Sequence, residues 1–118
     1  MPLQVVALTP DFAVSPQLSA DDFAWVSAQG FKTVLNNRPD GEGGGAQPLS
    51  SGLEKAAKAA GLQYVYLPVV SGAMTPAQIQ TMRDVLATSA KPMLAFCRSG
   101  ARSAQLFGLA QSQDKELS

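Results

Sequence analysis

The only cysteine of the chain, Cys97, is followed within five residues by two arginines, in the sequence FCRSGARS over residues 96–103. A cysteine thiolate is a strong nucleophile, and the backbone N–H groups of a tight turn that leads into a helix form a cradle for an anion. Arg102 can clamp an oxyanion through two parallel hydrogen bonds, which lysine cannot match. The pattern therefore predicts that Cys97 attacks an anionic substrate held by Arg102.

The same surroundings predict a lowered pKa for the Cys97 thiol, because a nearby guanidinium and a helix N-terminus both favour the thiolate. Ser103 is a candidate hydrogen-bond donor to the sulfur. The alternative interpretation is that Cys97, placed directly after the apolar run PMLAF, is a small buried apolar residue. Two arginines beside a core thiol would be costly without an anion to bind, so the functional interpretation is favoured.

Composition narrows the possible chemistry further. The 118 residues include no histidine and a single cysteine, which excludes Ser-His-Asp and Cys-His catalysis and argues against a metal site. We therefore expect neither a metal nor a cofactor. Nine basic side chains balance nine acidic ones, so the sequence predicts no partnership with nucleic acid or a membrane. The lone cysteine and the lack of a signal-like start predict a cytoplasmic location.

Strand and helix patterns alternate along the chain and predict an α/β fold, a single domain over residues 1–118 with a mostly parallel central sheet flanked by helices. After an N-terminal strand, the predicted helices are at about 20–29, 50–61, 75–89 and 101–112, and the predicted strands at 31–36, 62–69 and 92–96. The tail from residue 111 is expected to fray. Sites in such sheets lie outside the carboxyl ends of the strands, so the loops NNRPDGE and CRSGARS are expected to share one crevice.

The loop FCRSGARS resembles the active loop of cysteine-dependent phosphatases and rhodaneses. Taken with SPQLSADDF, GFKTVLNNRPDGE and YVYLPV, it is similar to the beta-lactamase-hydrolase-like, phosphatase-like domain family over about residues 12–110. The resemblance implies a protein-tyrosine-phosphatase-like fold, with the C-terminal helices of the family shortened or absent. It implies a cysteine nucleophile but does not select the reaction.

Two departures from the phosphatase pattern favour sulfur transfer. Tyrosine phosphatases place a histidine before the cysteine and five residues between cysteine and arginine, whereas Phe96 precedes Cys97 here and four residues separate it from Arg102. This spacing is closer to the Cys-Arg-x-Gly-x-Arg pattern of rhodanese-type enzymes. Dual-specificity phosphatases also place an aspartate general acid after the strand that corresponds to YVYLPV, where this chain has the sequence VVSG and no carboxylate.

We therefore predict a sulfurtransferase in which Cys97 takes a sulfane sulfur from thiosulfate or a persulfide and passes it to a thiol. The alternative is a phosphatase that forms a phosphocysteine, with Asp40, or else Glu42, as the general acid. A second alternative is a non-catalytic module that binds an anion or senses oxidation through Cys97.

The predicted catalytic residues are Cys97, Arg102 and Asp40. The predicted substrate-binding residues are Arg98, Ser99, Gly100, Ala101 and Ser103 of the cysteine loop, together with Arg38 of the NNRPDGE loop. For Asp40 the alternative is a turn residue, since RPDG is itself a turn signal. The expected partner is a small anionic substrate (thiosulfate, a persulfide or a phosphate ester), and a homodimer or association with a separate sulfur-metabolism domain stays open.

Overall fold

The computed structural model of the protein describes residues 4–117, with side chains described as far as Gln111. Its strands are β1 (Val6–Thr9), β2 (Phe12–Ser15), β3 (Thr33–Asn36), β4 (Gln63–Tyr66) and β5 (Met93–Phe96), and its α-helices are α1 (Phe23–Ala28), α2 (Ser50–Ala59), α3 (Pro76–Thr88) and α4 (Ala101–Leu117). The strands form one five-stranded sheet in the order β1-β2-β5-β3-β4. This arrangement confirms the predicted α/β class and the mostly parallel sheet.

The N-terminal part of the sheet differs from the prediction of one strand. Strands β2, β5, β3 and β4 pair in parallel, but β1 pairs with β2 in the antiparallel direction. The chain reverses at Pro10 and Asp11, where the Asp11 N–H donates to Thr9 Oγ1 at 3.1 Å. Proline and aspartate are both typical of turns, so this short segment forms a hairpin.

Apolar side chains cover both faces of the sheet, as expected for strands that read as continuous apolar runs. Strand β5 lies at the centre and is buried along its whole length. Met93 and Ala95 face the helices α3 and α4, whereas Leu94 and Phe96 pack with residues of α1 and α2. Each face therefore holds one part of the core, and the end of β5 is fixed between them.

The helix boundaries follow their local signals closely in one case and less so in another. Helix α3 begins with the expected capping pair, in which the Thr75 hydroxyl accepts from the Gln78 N–H and the Gln78 side chain accepts from the Thr75 N–H. Helix α4 extends beyond the predicted end near residue 112 as far as Leu117. The segment after Gln111 contains no glycine or proline and is rich in helix-favouring residues, which explains the extension; residue 118 lies outside the described residues.

Within the described part of the chain, no helix has the length and apolar character needed to cross a bilayer. The helices pack against the sheet, and α4 begins immediately after the loop that follows β5. Because β5, β3 and β4 are neighbours in the sheet, the loops at their carboxyl ends lie side by side. This edge is where the sequence places its reactive residues.

Candidate active site

A cavity of about 740 Å³ opens at the carboxyl ends of β3, β4 and β5. Its lining residues are Arg38, Glu42, Gly43, Val70, Ser71, Cys97, Arg98, Ser99, Ala101, Arg102 and Gln105. Three segments contribute them: the NNRPDGE loop after β3, the segment after β4, and the cysteine loop with the first turns of α4. The predicted sharing of one crevice by the two polar loops is therefore what the structure shows.

Cys97 lies at the floor of this cavity and is only 1% exposed. Burial opposes ionisation of the thiol, but four backbone N–H groups, those of Ser103, Ser99, Gly100 and Arg102, donate to the sulfur and together lower the pKa of Cys97 below its usual value. The Gly100 N–H is 3.1 Å from Sγ. The sulfur is therefore prepared as a thiolate by the loop backbone.

The direction of this pKa shift agrees with the prediction, and so does one of its two predicted causes. The donors are backbone N–H groups of the loop and of the first turn of α4, which is the predicted helix N-terminus, whereas the predicted guanidinium is not among the causes. The prediction that the Ser103 hydroxyl donates to the sulfur is wrong as well. That hydroxyl is buried and donates to Asn37 Oδ1 at 2.8 Å, and only the backbone N–H of Ser103 reaches the sulfur.

The lowered pKa of Cys97 predicts that its alkylation has a midpoint at a lower pH than that of an ordinary cysteine. An unperturbed cysteine titrates at about 8.5, so the iodoacetamide rate should rise with pH through a midpoint below that value and then level off. Stopped-flow alkylation of the folded protein across pH 5–10 measures this midpoint, with the urea-unfolded chain as the control. A folded midpoint at or above the unfolded one would contradict the cradle described here.

Arg102 lies in the first turn of α4, and its side chain is 9% exposed. Nη1 donates to Glu42 Oε2 at 3.0 Å and to the carbonyl of Val69 at 2.9 Å, while Nη2 donates to Glu42 Oε1 at 3.0 Å. Nε, in contrast, is buried and has no acceptor among the described residues. The guanidinium is thus held on one edge and retains free N–H donors on the edge that includes Nε.

Glu42 joins two of the three arginines that line the cavity, Arg102 and Arg38. Its Oε1 also accepts from Arg38 Nε at 3.0 Å, and Arg38 Nη1 donates to Gln17 Oε1 at 3.1 Å. The hydrogen bonds from Arg102 and then Arg38, with the charge of both, outweigh burial and lower the pKa of the Glu42 carboxyl. Glu42 is therefore an ionised carboxylate inside the cavity.

Asp40, predicted as a catalytic residue, does not line the cavity. Its Oδ1 accepts from the Ser50 N–H at 2.8 Å at the start of α2, and its own N–H donates to the Tyr66 hydroxyl at 2.8 Å. The bond from Ser50 holds the carboxylate at the start of α2, outside the set of residues that line the cavity with Cys97. The turn interpretation of RPDG fits this geometry, and the proposed acid role of Asp40 finds no support in it.

The other predicted residues divide into two groups. Arg38, Arg98, Ser99 and Ala101 line the cavity with Cys97. Gly100 and Ser103 are not among the lining residues but direct their backbone N–H groups to the sulfur, as Ser99 also does. The sequence interpretation missed the cavity residues Gly43, Val70, Ser71 and Gln105, whose types carry no signal for chemistry.

Gly100 is required where the cysteine loop passes closest to β2. Its φ is +96°, and an added Cβ would lie 3.3 Å from both the carbonyl carbon and the carbonyl oxygen of Ser15. Gly100→Ala should therefore cost about 1–3 kcal/mol of folding stability and slow alkylation of Cys97, since the Gly100 N–H would turn away from the sulfur.

Urea denaturation and the alkylation rate measure the two effects. Gly108→Ala is the matched control: this glycine lies within α4 and a Cβ there meets nothing within 4 Å, so the change should stabilise by up to about 1 kcal/mol. Equal stability and equal alkylation rates in Gly100→Ala and the unaltered protein would show that the tight approach to Ser15 is unimportant.

Asn37 is a further residue of the site that sequence reasoning missed. It is fully buried, and its Nδ2 donates to the carbonyl of Leu67 at 3.0 Å while its Oδ1 accepts from Ser103. Its backbone N–H donates to the carbonyl of Phe96, and its carbonyl accepts from the Val69 N–H. One side chain and its backbone therefore join the ends of β3, β4 and β5 to the first turn of α4.

The geometry is that of a cysteine enzyme with a backbone anion cradle, and comparison with known proteins gives its family. The beta-lactamase hydrolase-like protein, phosphatase-like domain family matches residues 4–114. The chain belongs to this family. Curated relatives from Agrobacterium fabrum and Xylella fastidiosa (strain Temecula1), each described as a beta-lactamase hydrolase-like protein, are 35% and 33% identical to it.

Each of these relatives matches 98% of the chain, but the chain spans only about a quarter (26%) of their length. Among solved structures, a phosphatase candidate from Neisseria meningitidis is 30% identical, with a TM-score of 0.81 over 87% of this chain and 72% of that one. These likenesses support a tyrosine-phosphatase-like fold for the phosphatase-like domain. They favour phosphatase chemistry over the predicted sulfur transfer, for which they offer no support.

Proposed function

We propose that the domain is a cysteine-dependent phosphatase that hydrolyses phosphomonoesters through a phosphocysteine at Cys97. The observation that supports this most directly is the ring of four backbone N–H groups around Sγ, placed beside a buried Arg102 that still has free N–H donors. A phosphoryl group on the sulfur has three oxygens that need such donors. Family membership and the similarity to a phosphatase candidate support the same reaction.

The proposed reaction has two steps that use the residues of the cavity. In the first, the Cys97 thiolate attacks phosphorus, the S–P bond forms, and the P–O bond breaks with its electron pair on the leaving oxygen. In the second, water attacks phosphorus, the S–P bond breaks, and the sulfur leaves as the thiolate. Both protons of the water stay on the released phosphate as H₂PO₄⁻. Arg102 and the loop N–H groups stabilise the charge on the phosphoryl oxygens in both steps.

A steady-state assay with an aryl phosphate tests this proposal. Cys97→Ser should lose all hydrolysis above background, because a neutral hydroxyl with no adjacent base cannot replace the thiolate. Quenching with acid during turnover of a substrate labelled on its phosphoryl group should trap a phosphoprotein that carries the labelled phosphoryl group on Cys97. Equal hydrolysis by Cys97→Ser and the unaltered protein would rule the mechanism out.

Sulfur transfer remains the second candidate, because four residues rather than five separate Cys97 from Arg102. In that reaction the thiolate attacks the sulfane sulfur of thiosulfate, a new S–S bond forms, and sulfite leaves with the electron pair of the old one. Sulfite needs no proton, which suits a cavity whose carboxylate is ionised. Thiosulfate with cyanide as acceptor is the corresponding assay, and Cys97-dependent thiocyanate formation without phosphate ester hydrolysis would reverse the order of the two candidates.

A further inference from the structure

The feature that most restricts the proposed phosphatase is the state of its carboxylates. Two acidic residues, Asp40 and Glu42, occur in the NNRPDGE loop, and the carboxylates of both already accept hydrogen bonds. Asp40 accepts from the Ser50 N–H outside the cavity. Glu42 lies inside the cavity, with one oxygen bonded to Arg102 and the other shared by Arg102 and Arg38.

A general acid must carry a proton and must direct it at the leaving oxygen. Glu42 meets neither condition, because both of its oxygens accept hydrogen bonds from guanidinium groups and both arginines favour its charged form. The segment after β4 offers Val70 and Ser71 to the cavity and no carboxylate. Among the described residues, the cavity therefore holds no group that is ready to protonate a leaving oxygen.

The hydrogen bonds of Glu42 fit a role in orienting the Arg102 guanidinium. They occupy the edge of the Arg102 guanidinium formed by Nη1 and Nη2, while Val69 accepts the remaining Nη1 hydrogen. Nε and the second Nη2 hydrogen then form the free edge, in the fork geometry that matches two oxygens of a phosphoryl group. Glu42 in this position orients Arg102 and does not compete with the substrate for that edge.

We propose that the domain acts on phosphorylated substrates whose leaving group departs as a stable anion, such as acyl phosphates and phosphate monoesters of acidic phenols, and that Glu42 is a positioning residue for Arg102. This inference rests on the proposed phosphatase function and names its substrate class. The first step then balances without a proton donor: the leaving group takes the electron pair of the P–O bond and is released as a carboxylate or phenolate.

A series of aryl phosphates, from strongly acidic to ordinary phenols, tests the inference through kcat/KM, which reports on the first step. In the unaltered protein kcat/KM should fall steeply as the phenol becomes less acidic, and an alkyl phosphate should react at least about 100-fold more slowly, the smallest usual contribution of a general acid. Glu42→Gln should lower kcat/KM by a similar factor for every ester and leave the steepness unchanged. If Glu42 positions Arg102, Glu42→Gln lowers kcat/KM by the same factor for every ester. If Glu42 donates a proton, the substitution changes how steeply kcat/KM depends on the acidity of the phenol.

The pH dependence gives a second readout. The groups that face Glu42 are the guanidinium groups of Arg38 and Arg102, and Cys97 shares the cavity. With an aryl phosphate, kcat/KM should rise with pH as Cys97 ionises. If the pH profile falls again at higher pH, Glu42→Gln should leave that fall unchanged, because Glu42 is not the proton donor. Asp40→Asn is the matched control outside the cavity and should reproduce the unaltered slope and pH profile.

The possible outcomes separate this inference from the proposed function. A shallow dependence on the phenol that becomes steep in Glu42→Gln or in Asp40→Asn would identify that residue as the proton donor and overturn the inference alone. Cys97-dependent hydrolysis with a steep slope in all three proteins is the expected result. If even the most acidic phenol gave no Cys97-dependent hydrolysis, the proposed function would fall and the substrate class with it.

Discussion

Replacing Arg102 with lysine is expected to lower kcat/KM for an aryl phosphate by about 100- to 1,000-fold, the usual loss when one donor to a developing oxyanion is removed. Lysine keeps the charge but has a single point of donation, so it cannot bond the Glu42 carboxylate on one edge and a phosphoryl group on the other. Both functions of the guanidinium are therefore lost together, even though the net charge of the cavity is unchanged.

Steady-state kinetics of Arg102→Lys measure this effect, and thermal unfolding checks that the variant is folded. Arg83→Lys is the matched control, since Arg83 lies on α3 and does not line the cavity; its activity should equal that of the unaltered protein. A loss of less than about fivefold in Arg102→Lys, no more than a surface charge contributes, would mean that the backbone N–H groups alone hold the phosphoryl oxygens.

The sequence predicts those parts of the site that depend on residues close to one another in the chain, such as turns and helix caps. The apolar run that ends at Cys97 and the glycine that opens the following turn identify a strand, a loop and a helix in order. Thr75, Pro76 and Gln78 likewise set the start of α3. These features depend on neighbours within about four residues, which is the range over which capping and turn rules operate.

What the sequence does not predict depends on contacts between distant segments. Asp40 and Glu42 are two residues apart in one loop, and nothing local tells which one enters the cavity. The structure decides it through the Ser50 N–H, 10 positions from Asp40, and through Arg102, 60 positions from Glu42. The identity of the donors to Cys97 is similar, since they are backbone groups that any sequence would carry and only the loop geometry directs them to the sulfur.

Asn37→Ala is expected to cost about 2–6 kcal/mol of folding stability, because it leaves the Leu67 carbonyl and the Ser103 hydroxyl buried without their partner, at about 1–3 kcal/mol each. The substitution should also change the pKa of the nucleophile, Cys97. Ser103 is one of the four residues whose N–H groups lower the pKa of Cys97, so loosening the first turn of α4 should move the alkylation midpoint of Cys97 to higher pH.

A double-mutant cycle with Ser103→Ala separates the two bonds of Asn37. Ser103→Ala removes the hydroxyl donor but keeps the bond from Asn37 to Leu67, so it should cost less than Asn37→Ala, and the two changes should be coupled by about 0.5–3 kcal/mol. Urea denaturation of the four proteins gives these free energies. If Asn37→Ala cost under about 0.5 kcal/mol, the range of ordinary surface substitutions, the three strand ends would be held without it. The alkylation midpoint decides the functional half: a stability loss with an unchanged midpoint would place Asn37 in the fold alone, whereas a loss with a raised midpoint would make it a positioning residue for Cys97.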